Sequence, residues 1–187
     1  MLFPHTRSQR VALRPATAED EHDFHHTVLQ AGFGLSSGYG VGSPKTGRRK
    51  PHGAFAIAHR VNDELLGFGV LHSFEPGIHI SLRIIMNPHR TKLGIGSEAI
   101  FLLVNYAFAT LRIDKVITQT SEASFGPLGM DPQQNDENGI LTGHVYFRGR
   151  LWDLHHFEIK RANWEEYVDS SLDNTLPRHL DWRAVPR

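Results

Sequence analysis

Residues 79–111, HISLRIIMNPHRTKLGIGSEAIFLLVNYAFATL, decide the fold of this chain. Apolar and β-branched residues dominate the first eight positions, which predicts a strand over 79–86. A proline and a short polar loop follow, and the run GIGS at 94–97 opens a segment with apolar residues three and four positions apart. That spacing predicts a helix to about residue 111. The segment thus predicts a strand, a glycine-containing turn and a helix in succession.

The glycine-containing turn predicts an anion site. The first amide N–H groups of a helix have no partner within the helix and lie at the positive end of its dipole, which suits a pyrophosphate. Glycine lets a phosphate approach the backbone without meeting a Cβ. Arg90 and Lys92 add positive charge nearby. A tight turn with no ligand is the alternative reading of the same residues.

Strands and helices are predicted on both sides of this segment. Turn residues at Asn62-Asp63 and Glu75-Pro76-Gly77 separate β-like runs, so two consecutive antiparallel hairpins are the simplest arrangement. Thr17, with Asp20 three residues later, predicts the start of a helix that ends at Gly32. The remaining predicted elements are strands at 11–15, 54–59, 66–74, 115–120, 141–148 and 154–159, and a short helix at 163–168 before a polar tail at about 170–187.

The segment 32–53 contains seven glycines, three serines, two prolines and no acidic residue, which predicts a mobile loop. Its run GVGSPKT is similar to a phosphate-binding P-loop. However, Ser43-Pro44 separates Gly42 from Lys45 and no strand precedes the run, so we do not predict a P-loop.

Composition excludes several classes of function. The chain has 187 residues, 20 Lys+Arg against 20 Asp+Glu, 13 His and no Cys, and one domain over 1–187 is expected. Zero formal charge gives no general reason to expect nucleic-acid or membrane binding. Absence of Cys removes disulfides, Cys-ligated metals and a cysteine nucleophile. With no apolar run long enough to span a bilayer and no signal-peptide pattern, a cytoplasmic protein is expected.

Three stretches resemble one family, the GNAT acyl-coenzyme A N-acyltransferases, and within it the RimJ/RimL-type ribosomal-protein N-terminal acetyltransferases. VALRPATAED at 11–20 is similar to the opening strand and helix start of that subgroup, and 94–116 is similar to its coenzyme A-binding helix and following strand. Residues 153–164 keep the spacing of its closing strand. The three stretches follow one another in the order found in the family, and together they span nearly the whole chain.

The resemblance implies an α/β (α+β) fold: a mixed, splayed sheet of about seven strands flanked by helices, with acetyl-coenzyme A in the opening. It implies that the backbone of the strand at 80–86 holds the pantetheine arm and that amides of the following turn hold the pyrophosphate. The cofactor-binding residues implied are Ile84, Ile85, Met86, Thr91, Lys92, Leu93, Gly94, Ile95, Gly96 and Ser97.

The resemblance also implies direct attack of an amine on the thioester, without a covalent enzyme intermediate. The candidates for the general base that deprotonates the amine are His79, Glu75 and Glu122. Asp153 is a weaker candidate, and each of the four also has a purely structural interpretation. Ser124 matches a serine of the subgroup and is the candidate proton donor to the thiolate. A backbone N–H of Ile85 or Met86 would stabilise the oxyanion. The tyrosine that many GNAT enzymes use as general acid is missing.

Histidine pairs raise the question of a metal. His22 and His26 share one face of the first predicted helix, and two such imidazoles can hold zinc when a third ligand is available. His155 and His156 are adjacent on a strand and point to opposite faces. No metal site is predicted.

The predicted activity is transfer of an acetyl group from acetyl-coenzyme A to a primary amine, on a protein N-terminus or a small molecule. The alternative is a GNAT-fold module that binds coenzyme A without turnover. The basic residues of the loop at 32–53 suggest an acceptor with an acidic part, a clamp on the coenzyme phosphates, or a solvated linker. A homodimer is possible on this reading, and neither nucleic acid nor a membrane is expected as a partner.

Overall fold

A computed structural model describes residues 2–30, 52–87, 89, 90, 94–121, 137–147 and 149–175. Seven strands form one mixed sheet in the order β1-β2-β3-β4-β5-β7-β6. The strands are β1 (Val11–Pro15), β2 (Gly53–His59), β3 (Leu65–Glu75), β4 (His79–Met86), β5 (Lys115–Ser121), β6 (Glu137–Phe147) and β7 (Arg150–Lys160). The predicted sheet of about seven strands is confirmed.

Three α-helices accompany the sheet. They are α1 (Glu21–Gln30), which follows a 3-10 turn at Ala18–Asp20, α2 (Ile95–Thr110) and α3 (Arg161–Thr175). The decisive segment therefore folds as predicted, with β4, a turn and α2 in succession. α3 is longer than the predicted helix at 163–168 and takes in residues that were assigned to the polar tail. Among the described residues, no helix combines the length and the apolar character needed to cross a bilayer.

Strands β1 to β4 pair antiparallel in chain order, which confirms the two consecutive hairpins. β4 then pairs parallel with β5, because α2 carries the chain back across the sheet between them. β7 pairs antiparallel with β5 on one side and with β6 on the other. The mixed character of the sheet thus comes from the single parallel junction between β4 and β5.

Helix α2 packs against one face of the sheet and forms the main core with it. Leu102, Leu103 and Val104 are all 0 % exposed, which explains the continuous apolar run of this helix in the sequence. Glycine in β3 lets α2 come close, because a Cβ at Gly69 would collide with the Leu103 side chain. Trp164 of α3 extends this core by packing on Phe101 of α2, with ring centroids 5.0 Å apart.

Helix α1 lies on the opposite face and is anchored at its start by an ion pair. Both oxygens of the Asp20 carboxylate accept hydrogen bonds from the Arg14 guanidinium, at 2.7 and 2.8 Å, and the Thr17 N–H donates to it at 2.7 Å. These contacts lower the pKa of Asp20 to about 2, with the Arg14 hydrogen bonds as the largest cause. The predicted helix start at Thr17 and Asp20 therefore has a physical basis, in which the carboxylate caps the turn.

Candidate active site

A gap opens between β4 and β5. The two parallel strands pair over only four positions, from His79 with Lys115 to Leu82 with Thr118. Beyond them β4 continues to Met86 and β5 continues to Ser121 without pairing to each other. The sheet is therefore splayed in its middle, as the resemblance implied.

Backbone groups of β4 line this gap. On the β3 side, the Asn87 N–H donates to the Leu66 carbonyl at 2.8 Å; on the β5 side, the Ile78 carbonyl accepts from the Lys115 N–H at 3.2 Å. Successive residues of a strand direct their N–H and C=O groups to opposite sides. Even-numbered residues of β4 therefore direct these groups toward β5, and odd-numbered residues direct them toward β3.

This alternation distinguishes the two backbone N–H groups that are candidate donors to the oxyanion. Ile85 directs its backbone groups to β3, where it stands opposite Phe68. Ile84 and Met86 lie beyond the last residue that pairs with β5, so their N–H and C=O groups face the open gap. Met86, rather than Ile85, thus presents a backbone donor to this space.

α2 begins at Gly94 and Ile95, eight residues after the end of β4 at Met86. Gly94 has φ 82° and ψ −10°, a left-handed conformation that favours glycine, and no side chain caps the helix there. Ile95 is buried in the core and fixes the first turn, while Ser97 is exposed. The described part of the predicted turn, 94–97, therefore presents uncapped helix amides; Thr91, Lys92 and Leu93 lie outside the described residues.

An arginine that the sequence interpretation missed lies beside this turn. The Glu98 carboxylate of α2 accepts hydrogen bonds at 2.5 Å from both the Arg10 Nε and the buried Ser8 hydroxyl. The backbone N–H of Arg10 also donates to Glu98, at 3.1 Å. A Cβ at Gly94 would stand 2.7 Å from a terminal nitrogen of Arg10. No local pattern could reveal this contact, because 88 residues separate the two partners.

His79 and Glu75 are brought together at the other end of β4. They face each other across the β3–β4 turn, with the His79 Nδ1 3.6 Å from a Glu75 carboxylate oxygen. The Glu75 side chain is 60 % exposed and that of His79 is 19 % exposed. This pair lies where β4 and β5 are still joined, since His79 stands beside Lys115.

The other candidate acids and the serine are placed differently. Glu122 and Ser124 lie outside the described residues. Asp153 accepts a hydrogen bond from the Gly143 N–H at 2.9 Å, between β7 and β6. That contact gives Asp153 a structural role in the hairpin.

Polar side chains line the sheet face on the α1 side of the gap. α1 covers one part of this face through a buried cluster of Phe24, Ala56, Phe68 and Ile85. Arg83 is two residues before Ile85 and therefore lies on the same face, as does His72, four residues after Phe68. Burial, and next the charge of Arg83, lower the pKa of His72. We call this surface the acceptor face; its described polar side chains include His72, Glu75, His79, Ser81, Arg83, Lys115, Gln119, His156, Glu158 and Lys160.

The helical histidine pair was the candidate for the start of a metal site. His22 and His26 are both exposed on α1. Within the part of the chain that the structure describes, no three His, Asp or Glu side chains are grouped so as to hold a metal ion.

Comparison with known proteins agrees with this architecture. Residues 35–124 match the acetyltransferase (GNAT) domain model. Among solved structures, a mutant spermidine/spermine N-acetyltransferase SpeG from Vibrio cholerae is 15 % identical, with a TM-score of 0.67 over 84 % of this chain and 97 % of the other. A GCN5-related N-acetyltransferase from Brucella melitensis is 17 % identical, with a TM-score of 0.62 over 95 % and 89 %.

A probable GNAT-family acetyltransferase from Chromobacterium violaceum is similar as well, with 16 % identity and a TM-score of 0.61 over 86 % of this chain and 87 % of the other. No curated protein is a significant match to the sequence. The predicted enzyme class, an acyl-coenzyme A-dependent N-acyltransferase, is confirmed. Residues 35–124 thus match the model of a GNAT acetyltransferase domain, and the described residues have the fold of these solved N-acetyltransferase structures.

Proposed function

We propose that this protein transfers an acetyl group from acetyl-coenzyme A to a primary amine. One observation carries the proposal: the unpaired edge of β4 is followed, eight residues after Met86, by an uncapped helix start at Gly94, an order that suits an extended ligand with a pyrophosphate at one end. The GNAT domain match and the N-acetyltransferases among the structural neighbours support acetyl transfer to an amine.

Coenzyme A is proposed to lie along the gap. The backbone groups of Ile84 and Met86 would bond the amides of the pantetheine arm as a neighbouring strand would. The amides of 91–97 would hold the pyrophosphate at the positive end of the α2 dipole. Arg10 adds a guanidinium beside Gly94, where it would contact the phosphates while Glu98 holds its Nε.

The reaction is proposed to proceed in one ternary complex. The deprotonated amine attacks the thioester carbon, the Met86 N–H donates to the developing oxyanion, and the C–S bond then breaks as the thiolate is protonated. Ser124 is the candidate proton donor to sulfur. The candidate bases that would accept the amine proton remain the His79–Glu75 pair and Glu122.

His79 is too far from the gap for direct contact with an amine at its mouth. It precedes Leu82, the last paired residue, by three positions, or about 10 Å of strand. A water chain or an acceptor that extends along the strand would have to connect the two. We therefore propose His79 as a base that acts over this distance, oriented by Glu75.

The RimJ/RimL-type assignment remains a prediction, as does the cytoplasmic location. SpeG of Vibrio cholerae is a spermidine/spermine N-acetyltransferase, so an amine acceptor is consistent with the fold, whether a small molecule or a protein N-terminus. The experiment is release of free coenzyme A from acetyl-coenzyme A in the presence of a panel of amines, with calorimetric binding of coenzyme A measured in parallel.

Gly94→Val is the informative variant for this experiment. A branched side chain at φ 82° is strained and would meet Arg10, so we expect coenzyme A affinity to fall about tenfold or more. Gly77→Asn is the control, because Gly77 also has a positive φ but has open space around it. Binding without acetylation of any amine would support the non-catalytic alternative instead. No binding at all would contradict both.

A further inference from the structure

A carboxylate lies close to the place where the proposed function puts an anion. Glu98 belongs to the first turn of α2, and its N–H donates to the Gly94 carbonyl at 3.2 Å, which closes that turn. The Glu98 side chain is 14 % exposed. A negative charge so near the helix start opposes the binding of a pyrophosphate. The charge of the proposed ligand therefore does not explain why an acid stands at this position.

Three donors from the segment before β1 surround the Glu98 carboxylate. One oxygen accepts a hydrogen bond from the Arg10 Nε at 2.5 Å. The other accepts from the Ser8 hydroxyl at 2.5 Å and from the Arg10 backbone N–H at 3.1 Å. The Arg10 guanidinium thus offsets the charge of Glu98, and the carboxylate in turn fixes the Nε of Arg10.

The backbone around Arg10 is held as well. The Arg10 carbonyl accepts from the N–H of Arg60, which follows β2, at 2.7 Å, and the Ser8 carbonyl accepts from the Arg60 guanidinium at 3.2 Å. The Ser8 hydroxyl also accepts from the Val11 N–H at 3.0 Å. Both the main chain and the Nε of Arg10 are therefore fixed in advance. Such preorganisation lowers the entropy cost of binding a ligand with a long side chain.

The end of the Arg10 side chain is directed toward the glycine-containing turn. A Cβ at Gly94 would stand 2.7 Å from a terminal nitrogen of Arg10. A guanidinium has five N–H donors, so Arg10 can keep its protein partners and still donate to a phosphate. The Arg90 guanidinium, in contrast, donates to the Leu65 carbonyl at 3.2 Å and lies 3.7 Å from Glu64, at the start of β3. Arg10 is therefore better placed than Arg90 to meet a phosphate at this turn.

We propose that Glu98 is a positioning residue for coenzyme A, because it holds Arg10 where the guanidinium donates to a phosphate at the start of α2. The inference rests on the proposed function and adds to it a residue that acts through another one. Glu98 then strengthens the binding of an anion although it is itself an anion. The geometry that it gives to the charge-assisted hydrogen bonds of Arg10 outweighs its own repulsion of the phosphates.

Substitutions of Glu98 distinguish positioning from charge alone. Glu98→Gln and Glu98→Ala both remove the negative charge, so charge alone predicts tighter binding of coenzyme A. Positioning predicts that the Kd measured by calorimetry rises about threefold in Glu98→Gln, which keeps one acceptor oxygen, and about tenfold in Glu98→Ala. Glu98→Asp keeps the charge on a shorter side chain. Charge alone predicts an unchanged Kd for this variant, and positioning predicts a raised one.

A double-mutant cycle shows whether Glu98 acts through Arg10. Arg10→Gln alone should raise the Kd for coenzyme A about tenfold, as expected for loss of a charge-assisted contact. Adding Glu98→Ala should change this Kd less than about twofold, because no guanidinium is left to position. Effects that multiply would instead mean that Glu98 acts directly on the helix start. Pantetheine, which lacks the phosphates, should bind all these variants and the unaltered protein equally.

Glu165→Gln is the matched control. Glu165 lies 3.5 Å from Arg161 in α3, and Arg161 donates to the Leu111 carbonyl just beyond the last turn of α2. This change also removes an acid from an arginine pair, but at the opposite end of a helix about 24 Å long, so the Kd should stay the same. Circular dichroism and urea unfolding identify the folded variants, and Glu98→Asp keeps the test decisive if Glu98→Ala does not fold.

Three results would overturn the inference and leave the proposed cofactor site intact. They are unchanged or tighter binding of coenzyme A in the Glu98 variants, multiplying effects in the double variant, and an equal loss of pantetheine binding. If the unaltered protein does not bind coenzyme A, that result contradicts the proposed function itself, and the positioning role of Glu98 fails with it.

Discussion

The two faces of the sheet are built differently. The face under α2 and α3 is apolar from β1 to β5 and is closed by fully buried side chains such as Leu71, Ile80 and Leu103. The face under α1 has a small cluster of four buried residues, and beyond it the strands carry histidine, arginine, glutamine and glutamate. Both faces belong to the same strands, because successive side chains alternate between them.

This difference means that one face of the sheet mainly stabilises the fold and the other offers polar groups to a substrate. The α2 face removes most of the apolar surface from water, which is the main source of folding free energy. The α1 face leaves polar groups accessible beside the gap, where a substrate can meet them. Substitutions on the two faces should therefore differ in whether they lower stability or change turnover.

The largest effect is expected on the α2 face at Gly67. A Cβ there would meet the Ile85 carbonyl oxygen and stand 2.9 Å from the Met86 sulfur, so Gly67→Val must push β3 away from β4. Because one of these contacts is backbone, relaxation is costly, and we expect loss of more than about 3 kcal/mol of stability. Urea unfolding followed by circular dichroism measures it. Gly77→Asn is the control, and near-native stability of Gly67→Val would show that the two strands are not held rigidly here.

A smaller loss of stability is expected from Phe68→Ala on the α1 face. Phe68 is 1 % exposed and meets Phe24 of α1 edge-on, with ring centroids 5.2 Å apart. Truncation leaves a cavity and should cost about 3 kcal/mol or somewhat less, since the cluster is small and one side of it can relax. Thermal unfolding compared with Val61→Ala, at an 85 % exposed position, isolates the effect. An unchanged melting temperature would mean that α1 does not depend on this cluster.

His79→Ala tests the proposed role of this side chain as a base. We expect kcat at pH 7 to fall about tenfold, less than for a base in direct contact with substrate, because the distance from the gap requires relay through water. The KM for acetyl-coenzyme A should stay unchanged, since the proposed cofactor contacts lie at the other end of β4. Glu75→Gln should reproduce a part of the loss. A kcat equal to that of the unaltered protein would remove His79 and leave Glu122 as the candidate.

The smallest effect is expected from Asp20→Asn at the start of α1. The lowered pKa of Asp20 means that its stabilising contribution is present above pH 3.8 and is lost as the pH falls toward 2. Because Arg14 is 42 % exposed, solvent screens the pair and we expect a loss of about 1 kcal/mol at pH 7. Unfolding free energies of both proteins measured from pH 7 to pH 2 should converge at the acid end. A constant difference would show that the carboxylate charge is not responsible.

The order of strands and helices could be predicted because it depends on local patterns. The apolar run of β4, the glycines at 94 and 96 and the spacing of apolar residues in α2 each act within a few positions. The ends were less predictable: β6 and β7 pair further than their apolar patterns indicated, and α3 continues to Thr175. Cross-strand hydrogen bonds and helix packing extend elements beyond the residues that signal them.

The kind of site could be predicted from the sequence, but the contacts between residues that are far apart in the sequence could not. The turn at 94–97 was predicted from the sequence as an anion site, since glycines before a helix form a local signal, and the resemblance to a family implied the role of the strand at 84–86. The contact of Arg10 with Glu98 and the position of Arg83 at the end of the paired segment were not, because each depends on residues far away in sequence.

The sequence by itself determined the elements of this protein and the glycine-containing turn, since propensity, periodicity and spacing are properties of neighbouring residues, and its resemblance to a known family indicated the class of domain. Only the tertiary structure decided where β4 and β5 separate, which backbone groups face the resulting gap, and which charges meet on the acceptor face. Strand register joins residues of the four strands β3, β4, β5 and β7, and no single stretch of sequence contains that information.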